Sequence, residues 1–247
     1  MKIKIRSRVP LITSFETQSV LNPEIWADQM MRQPVEDRLR EIAEEFIENL
    51  DLPGADILDI ILTGSLANYN WSKYSDLDVH IIVDFRKVDE NEGLVKRYFD
   101  AVRSNWNRKH DIFVKGYEVE LYIQDDDEKH ESDGIYSLLD GEWRVSPIPQ
   151  QPALNKVLIY KKSKSLTRDI DRTSTLFNRG RYEDAVATGN NIKTKIKKMR
   201  QAGLEKGGIF SPENLAFKVL RRSGYMKKLF DTVSNAYDAQ QSLPEQE

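Results

Sequence analysis

ILDIILTGSLANYNWSKYSDLDVHIIVDF, running from Ile57 to Phe85, decides the fold. Ile57 to Thr63 is an apolar, β-branched run of the kind that forms a buried strand. It breaks at Gly64-Ser65, crosses a polar segment of turn formers and aromatics, and re-enters a second run from Asp76 to Phe85. Asp76 and Asp78 open that run one residue apart. In a strand, residues i and i+2 point to the same face, so both acids emerge side by side. Like charges about 4–5 Å apart repel by a few kcal/mol at an effective dielectric near 20. Folding gains nothing from that placement, which points to a cation between them.

Outward from this stretch the chain alternates helix and strand. Val35, Leu39, Ile42, Ala43, Phe46, Ile47 and Leu50 recur at three- and four-residue intervals, predicting a helix over 34–50 with Pro34 in its first turn. Leu94, Val95, Tyr98, Phe99, Val102 and Trp106 predict another over 89–106. From Ile112 to Ile123 the period becomes two: Tyr117, Val119, Leu121 and Ile123 alternate with Glu118, Glu120 and Tyr122, a strand with one apolar and one acidic face. Residues 124–133 read as a solvated acidic hairpin tip without calcium-loop spacing. Trp143-Arg144-Val145 closes the sheet as a short strand, and the Pro-rich stretch 147–152 marks a domain boundary.

Beyond it the pattern is helical, over 154–173, 182–202 and 212–233, the last opened by Ser211 as N-cap and Pro212 in first position. The expected organisation is α/β (α+β). An N-terminal extension (1–33) packs on a small mixed sheet domain (34–148), followed by a basic helical domain (149–238) and a frayed tail (239–247).

The 247 residues contain no Cys, so disulfides, thiolate nucleophiles and zinc–cysteine sites are excluded. No apolar run reaches the roughly 18 residues of a membrane helix. The charge-broken N-terminus reads as no secretory signal, and a reducing, cytoplasmic setting is expected. The net charge of −3 is divided unevenly: residues 150–247 carry 19 Lys and Arg against 10 Asp and Glu, and the remainder carries 18 against 30. An acidic half joined to a basic half suits a polyanionic substrate such as a nucleotide or RNA, though lysines also solvate helical faces. There is no GxxxxGK[ST] phosphate loop, which argues against a P-loop ATPase or kinase.

Gly64-Ser65 followed by Asp76-Leu77-Asp78-Val79 resembles the pattern of the nucleotidyltransferase superfamily, which includes polymerase β, CCA-adding enzymes and aminoglycoside nucleotidyltransferases. That pattern is an apolar strand, Gly-Ser, about a dozen residues, then Asp-apolar-Asp-apolar, with a third carboxylate on a later strand. Val119-Glu120-Leu121 best fits the third acid, and Glu118 is its rival two residues back. The chain as a whole also resembles nucleotidyltransferase-like proteins of large phages.

The resemblance implies transfer of an NMP from an NTP to an acceptor hydroxyl, releasing pyrophosphate. Asp76, Asp78 and Glu120 would hold Mg²⁺ or Mn²⁺. Gly64 would let backbone amides approach the triphosphate, and Ser65 with a following helix N-terminus would bind its phosphates. Many members carry Arg-Gly after Gly-Ser-x-Ala, whereas Asn68-Tyr69 stand here, leaving Lys73 as the nearest replacement cation.

Lys193, Lys197 and Arg200 share a helix face that is either a groove for an RNA end or NTP, or simply exposed. His80 shares the face of the two aspartates and reads as a core histidine. His110-Asp111 resembles the HD phosphohydrolase dipeptide but lacks the helical context for His80. The acceptor is left open among tRNA, another RNA, a protein and a small molecule, with no membrane partner. A non-catalytic nucleotide-binding or antitoxin-like module and an RNA-binding protein are the alternatives.

Overall fold

The computed structural model describes residues 8–50, 56–128 and 132–242. They form two compact units, one of residues 17–151 and one of 8–16 with 152–242. The described part of the N-terminal stretch is thus shared: helix α1 (Arg8–Thr13) belongs to the helical unit, and residues from Thr17 onward to the sheet unit.

The sheet unit opens with a ribbon of β1 (Trp26–Ala27) and β2 (Met30–Met31), then α2 (Gln33–Glu48). Strands β3 (Ile57–Thr63) and β4 (Leu77–Val83) follow. Helices α3 (Phe85–Val88) and α4 (Glu92–Lys109) lead to β5 (Phe113–Val114), β6 (Tyr117–Asp125), β7 (Ile135–Ser137) and β8 (Glu142–Val145). The six-stranded sheet has the order β5-β6-β4-β3-β7-β8. It is mixed, because β4 and β6 run parallel and the other neighbours antiparallel. A parallel pair needs a crossover, and α3 with α4 supplies it.

Strand alternation divides the sheet into two faces. Leu77, Val79, Ile81 and Val83 of β4, Val119 and Leu121 of β6, and Ile60 and Leu62 of β3 enter one core with Val35, Leu39, Ile42 and Phe46 of α2 and Val95 and Phe99 of α4. Burying a side chain such as Phe46 or Phe99 contributes about 2–3 kcal/mol. The residues between them, among them Asp78 and His80 on β4 and Glu120 and Tyr122 on β6, belong to the opposite face.

Two expectations about elements are corrected. The single strand over 112–123 is a hairpin, because Lys115 (φ +52°) and Gly116 (φ +80°) form a two-residue turn with both positions left-handed. The helix over 212–233 is two helices, α7 (Pro212–Arg222) and α8 (Tyr225–Gln241), broken at Gly224 with φ +85°. Glycine takes that conformation without steric cost, and the chain turns there.

In the helical unit α5 (Lys156–Asn178) and α6 (Tyr182–Gly207) join α7 and α8. Leu166, Ile170, Ile192, Ile196, Leu220, Leu229 and Val233 form its main core. A second cluster unites Ile12 and Phe15 with Ile159, Leu215 and Val219. Several cations are engaged within the unit: Lys195 with Asp169 at 2.8 Å, Lys162 with Glu213 at 2.9 Å, and Lys228 with Asp171 at 2.5 Å. No described helix is long and apolar enough to cross a membrane.

Candidate carboxylate site

β4 and β6 lie side by side with Asp78 directly opposite Glu120, and Asp76 stands immediately before β4. Because the strands are parallel, these acids meet at one end of the pair. One carboxylate oxygen from each of Asp76, Asp78 and Glu120 lies within 4.8 Å of the other two, and all three side chains are half-buried. Of the two rivals for the third acid, Glu120 therefore joins the aspartates. Glu118 is exposed in the β5–β6 hairpin opposite Phe113 and is not in the cluster.

The donor set is all oxygen, which suits a hard cation such as Mg²⁺ or Mn²⁺. Opposite ligands of a Mg²⁺ octahedron stand about 4 Å apart, so the cluster has the right scale. A second observation concerns space. On the β3 side, Thr63 pairs with Asp78, and the next residue is Gly64 with φ +77°. A Cβ on Gly64 would fall 2.0 Å from Asp78 Oδ2, so the aspartate occupies the room a side chain would need. The residues present fit a divalent cation.

The bend after β3 differs from expectation. Residues 64–70 form successive turns with no helix, so no helix N-terminus points from Ser65. The carbonyls a helix would use are taken from outside: Trp26 Nε1 donates to the Leu66 carbonyl at 2.7 Å, and the Gln18 amide to that of Tyr69 at 2.7 Å. Asn68 is buried, and its Oδ1 accepts the Tyr69 amide at 2.7 Å. The Ser65 hydroxyl donates to Ser75 Oγ at 2.7 Å, and Ser75 also accepts the Ser72 amide at 3.0 Å.

Lys73 is exposed in this loop, its ammonium 5.3 Å from the Tyr74 ring centre. Lys193 lies on α6 with its ammonium 4.8 Å from the Phe230 ring centre, and burial pushes its pKa down. Lys197, one turn on, is exposed.

Beside the carboxylates sits a polar array the sequence reading did not assign. Tyr122 donates its hydroxyl to Glu120 Oε2 at 2.5 Å. Its ring stacks on His80 at 4.6 Å and 17°, and the Arg103 guanidinium lies 4.8 Å from its centre. His80 Nδ1 is 2.8 Å from Gln124 Oε1. Burial, then the charges of Asp78 and Glu120, push the Tyr122 phenol far above its ordinary value. The signal was present in the sequence: period-two alternation puts Glu120, Tyr122 and Gln124 on the face that carries His80. His110 caps α4, its ring 4.2 Å from Trp106, outside this array.

Asp84, Asp125 and Asp126 form another acidic group, at the opposite end of the same strands. One cation meets part of its charge, and burial with the acidic neighbours Asp127 and Asp84 still pushes the Asp126 carboxyl up. Arg86 meets Asp84 at 2.9 Å, Asp126 at 3.5 Å and Asp127 at 3.2 Å, while Asp125 accepts the Phe85 amide at 3.0 Å. The guanidinium holds the Asp84 carboxyl below its usual range.

No family model matches the chain, and no curated protein matches it. Among solved structures, it is similar to the Rhodothermus marinus CdnE c-UMP-AMP synthase with Apcpp and Upnpp, at a TM-score of 0.24 and 10% identity over 98% of this chain and 100% of that one.

Proposed function

We propose that this protein is a divalent-cation-dependent nucleotidyltransferase that moves an NMP from an NTP to an acceptor hydroxyl, with pyrophosphate leaving. The observation that carries this reading is the meeting of Asp76, Asp78 and Glu120, from two parallel strands, beside a bend kept free of side chain at Gly64. Those three carboxylates would hold Mg²⁺ or Mn²⁺, which when bound neutralises charge on the phosphoryl oxygens and aligns the attacking and leaving oxygens.

The remaining work falls to the chain itself. Glu120 completes the site in which the acceptor hydroxyl is activated. The Gly64 amide is the proposed backbone contact to the triphosphate, while the room left by its missing side chain goes to Asp78. Ser65 and Ser75 spend one hydroxyl proton on each other, which leaves the pair one proton for a phosphate oxygen. Within the sheet unit Lys73 is the proposed phosphate-binding cation, and RNA, tRNA, a protein or a small molecule the acceptor.

The test is transfer of label from α-labelled NTPs in Mg²⁺ or Mn²⁺, repeated with Asp76→Asn and Asp78→Asn. Transfer abolished in both variants supports the enzyme. Its absence in the wild type with every NTP and acceptor tried defeats it.

One observation favours a second reading, a nucleotide-binding module without catalysis. The bend over 64–70 lacks a helix N-terminus, and Asn68 is committed to its own turn where many nucleotidyltransferases carry an arginine. Equilibrium binding of NTP with no transfer is the outcome that selects this module. Salt-dependent RNA affinity indifferent to the two Asp substitutions would instead select an RNA-binding protein.

A further inference from the structure

We infer that Tyr122 is a positioning residue that fixes the Glu120 carboxylate for cation binding, held in turn by a sandwich of His80 and Arg103. This rests on the reading of Asp76, Asp78 and Glu120 as cation ligands, and it adds a part that the carboxylate pattern does not contain.

The argument is geometric. Glu120 is the carboxylate from the neighbouring strand, and a glutamate has one more rotatable bond than an aspartate. Left alone it would lose rotamer entropy on binding a cation. Its Oε2 is instead taken by the Tyr122 hydroxyl at 2.5 Å, a short charge-assisted hydrogen bond. A carboxylate has two oxygens and several lone pairs, so the bond to one oxygen leaves capacity for a cation.

The phenol can act as a post because its ring is packed against two groups. His80 stacks on it at 4.6 Å and 17°, and Arg103 lies 4.8 Å from its centre. His80 is itself tied to Gln124 at 2.8 Å, and Gln124 Nε2 reaches the Glu128 carbonyl at 3.2 Å. The chain Glu120–Tyr122–His80–Gln124 thus runs along one face of two adjacent strands and anchors the ligand to the sheet. Groups that orient a metal ligand in this manner typically change affinity by about 10–100-fold when removed.

The experiment compares Mn²⁺ affinity, read by electron paramagnetic resonance on the full chain, in the wild type, Tyr122→Phe, Glu120→Ala and the double variant. Phe keeps the ring between His80 and Arg103, so Y122F should melt close to the wild type. Y122F is expected to bind Mn²⁺ about 10-fold or more weakly. In the Glu120→Ala background, which has no acceptor for the phenol, the same change should have little further effect, since the bond it removes serves Glu120. Equal Mn²⁺ affinity in Y122F and wild type overturns the inference, as does an equal loss with and without Glu120. A wild type that binds no Mn²⁺ defeats the cation site itself, and that result is distinct from either.

Discussion

Asp78 Oδ2 occupies the position where a side chain on Gly64 would begin: a Cβ built there comes within 2.0 Å of it. The glycine and the aspartate are therefore one device, in which the absence of one side chain makes room for the other. Gly64→Ala should force Asp78 aside, on top of the roughly 1 kcal/mol or more of strain for a left-handed non-glycine residue. Gly116 is the control, with φ +80° and nothing within 4 Å of an added Cβ. Both alanine variants should lose stability by urea denaturation, but only Gly64→Ala should lose Mn²⁺ binding and label transfer, the latter by about 100-fold or more. Equal retention of both activities would refute the pairing.

Three carboxylates gathered within 4.8 Å weigh against the fold when no cation is bound. Neutralising one of them should leave the protein as stable as the wild type or more so, by up to about 1 kcal/mol, while abolishing transfer. Melting in EDTA and in millimolar Mn²⁺ separates the two effects. The wild type should melt higher with Mn²⁺ by mass action, whereas Asp78→Asn should melt at one temperature in both.

Asp84, Asp125 and Asp126 carry the same formal charge and give the opposite expectation. Arg86 already spans Asp84, Asp126 and Asp127, so this group is a structural ion network. Asp126→Asn should leave Mn²⁺ stoichiometry unchanged by electron paramagnetic resonance. Arg86→Met should lower stability at most slightly, because the Arg86 network is half-exposed and solvent screens such pairs. A drop in bound Mn²⁺ in Asp126→Asn would show that a second site had been overlooked.

What could be read from the sequence follows from which signals are periodic. The β3 run over 57–63 and the two apolar faces of α2 and α4 are dense in large residues at fixed spacing, and burial makes such spacing obligatory. Asp76, Asp78 and Glu120 were legible because alternation fixes a strand's face, but their meeting depends on β4 and β6 being parallel neighbours, which no local pattern states. The three residues of β7 offered too short a run to register. The bend over 64–70 has the local sequence of a turn into a helix and does not form one, since the competitors for its carbonyls, Trp26 and Gln18, come from residues some 40–50 positions away. The Tyr122 array lay in plain sight as alternation, but its role is set by contacts with His80 and Arg103 on other elements.

Tyr136 gives a pH dependence whose sign can be worked out. It is wholly buried, donates to Glu36 Oε2 at 3.2 Å, and meets Trp26 and Trp143 edge-on at 5.0 and 5.2 Å. Burial, reinforced by the Glu36 charge, raises its pKa above the ordinary value of 10.0. The folded state therefore keeps the proton to higher pH than the unfolded chain does. Its stabilising contribution is complete below about pH 10 and is lost as pH rises from there through the folded value. Tyr136→Phe cannot titrate and lacks the hydrogen bond, which costs about 1 kcal/mol at neutral pH. Glu36 has a second partner in Arg40 at 3.0 Å, which the substitution does not touch. Urea midpoints of wild type and Y136F should accordingly differ between pH 7 and 9 and draw together above pH 10. Tyr122, also raised, titrates in both proteins and cancels from the comparison. A gap that stays constant to pH 11 would mean that the Tyr136 phenol ionises as easily folded as unfolded, contrary to its burial.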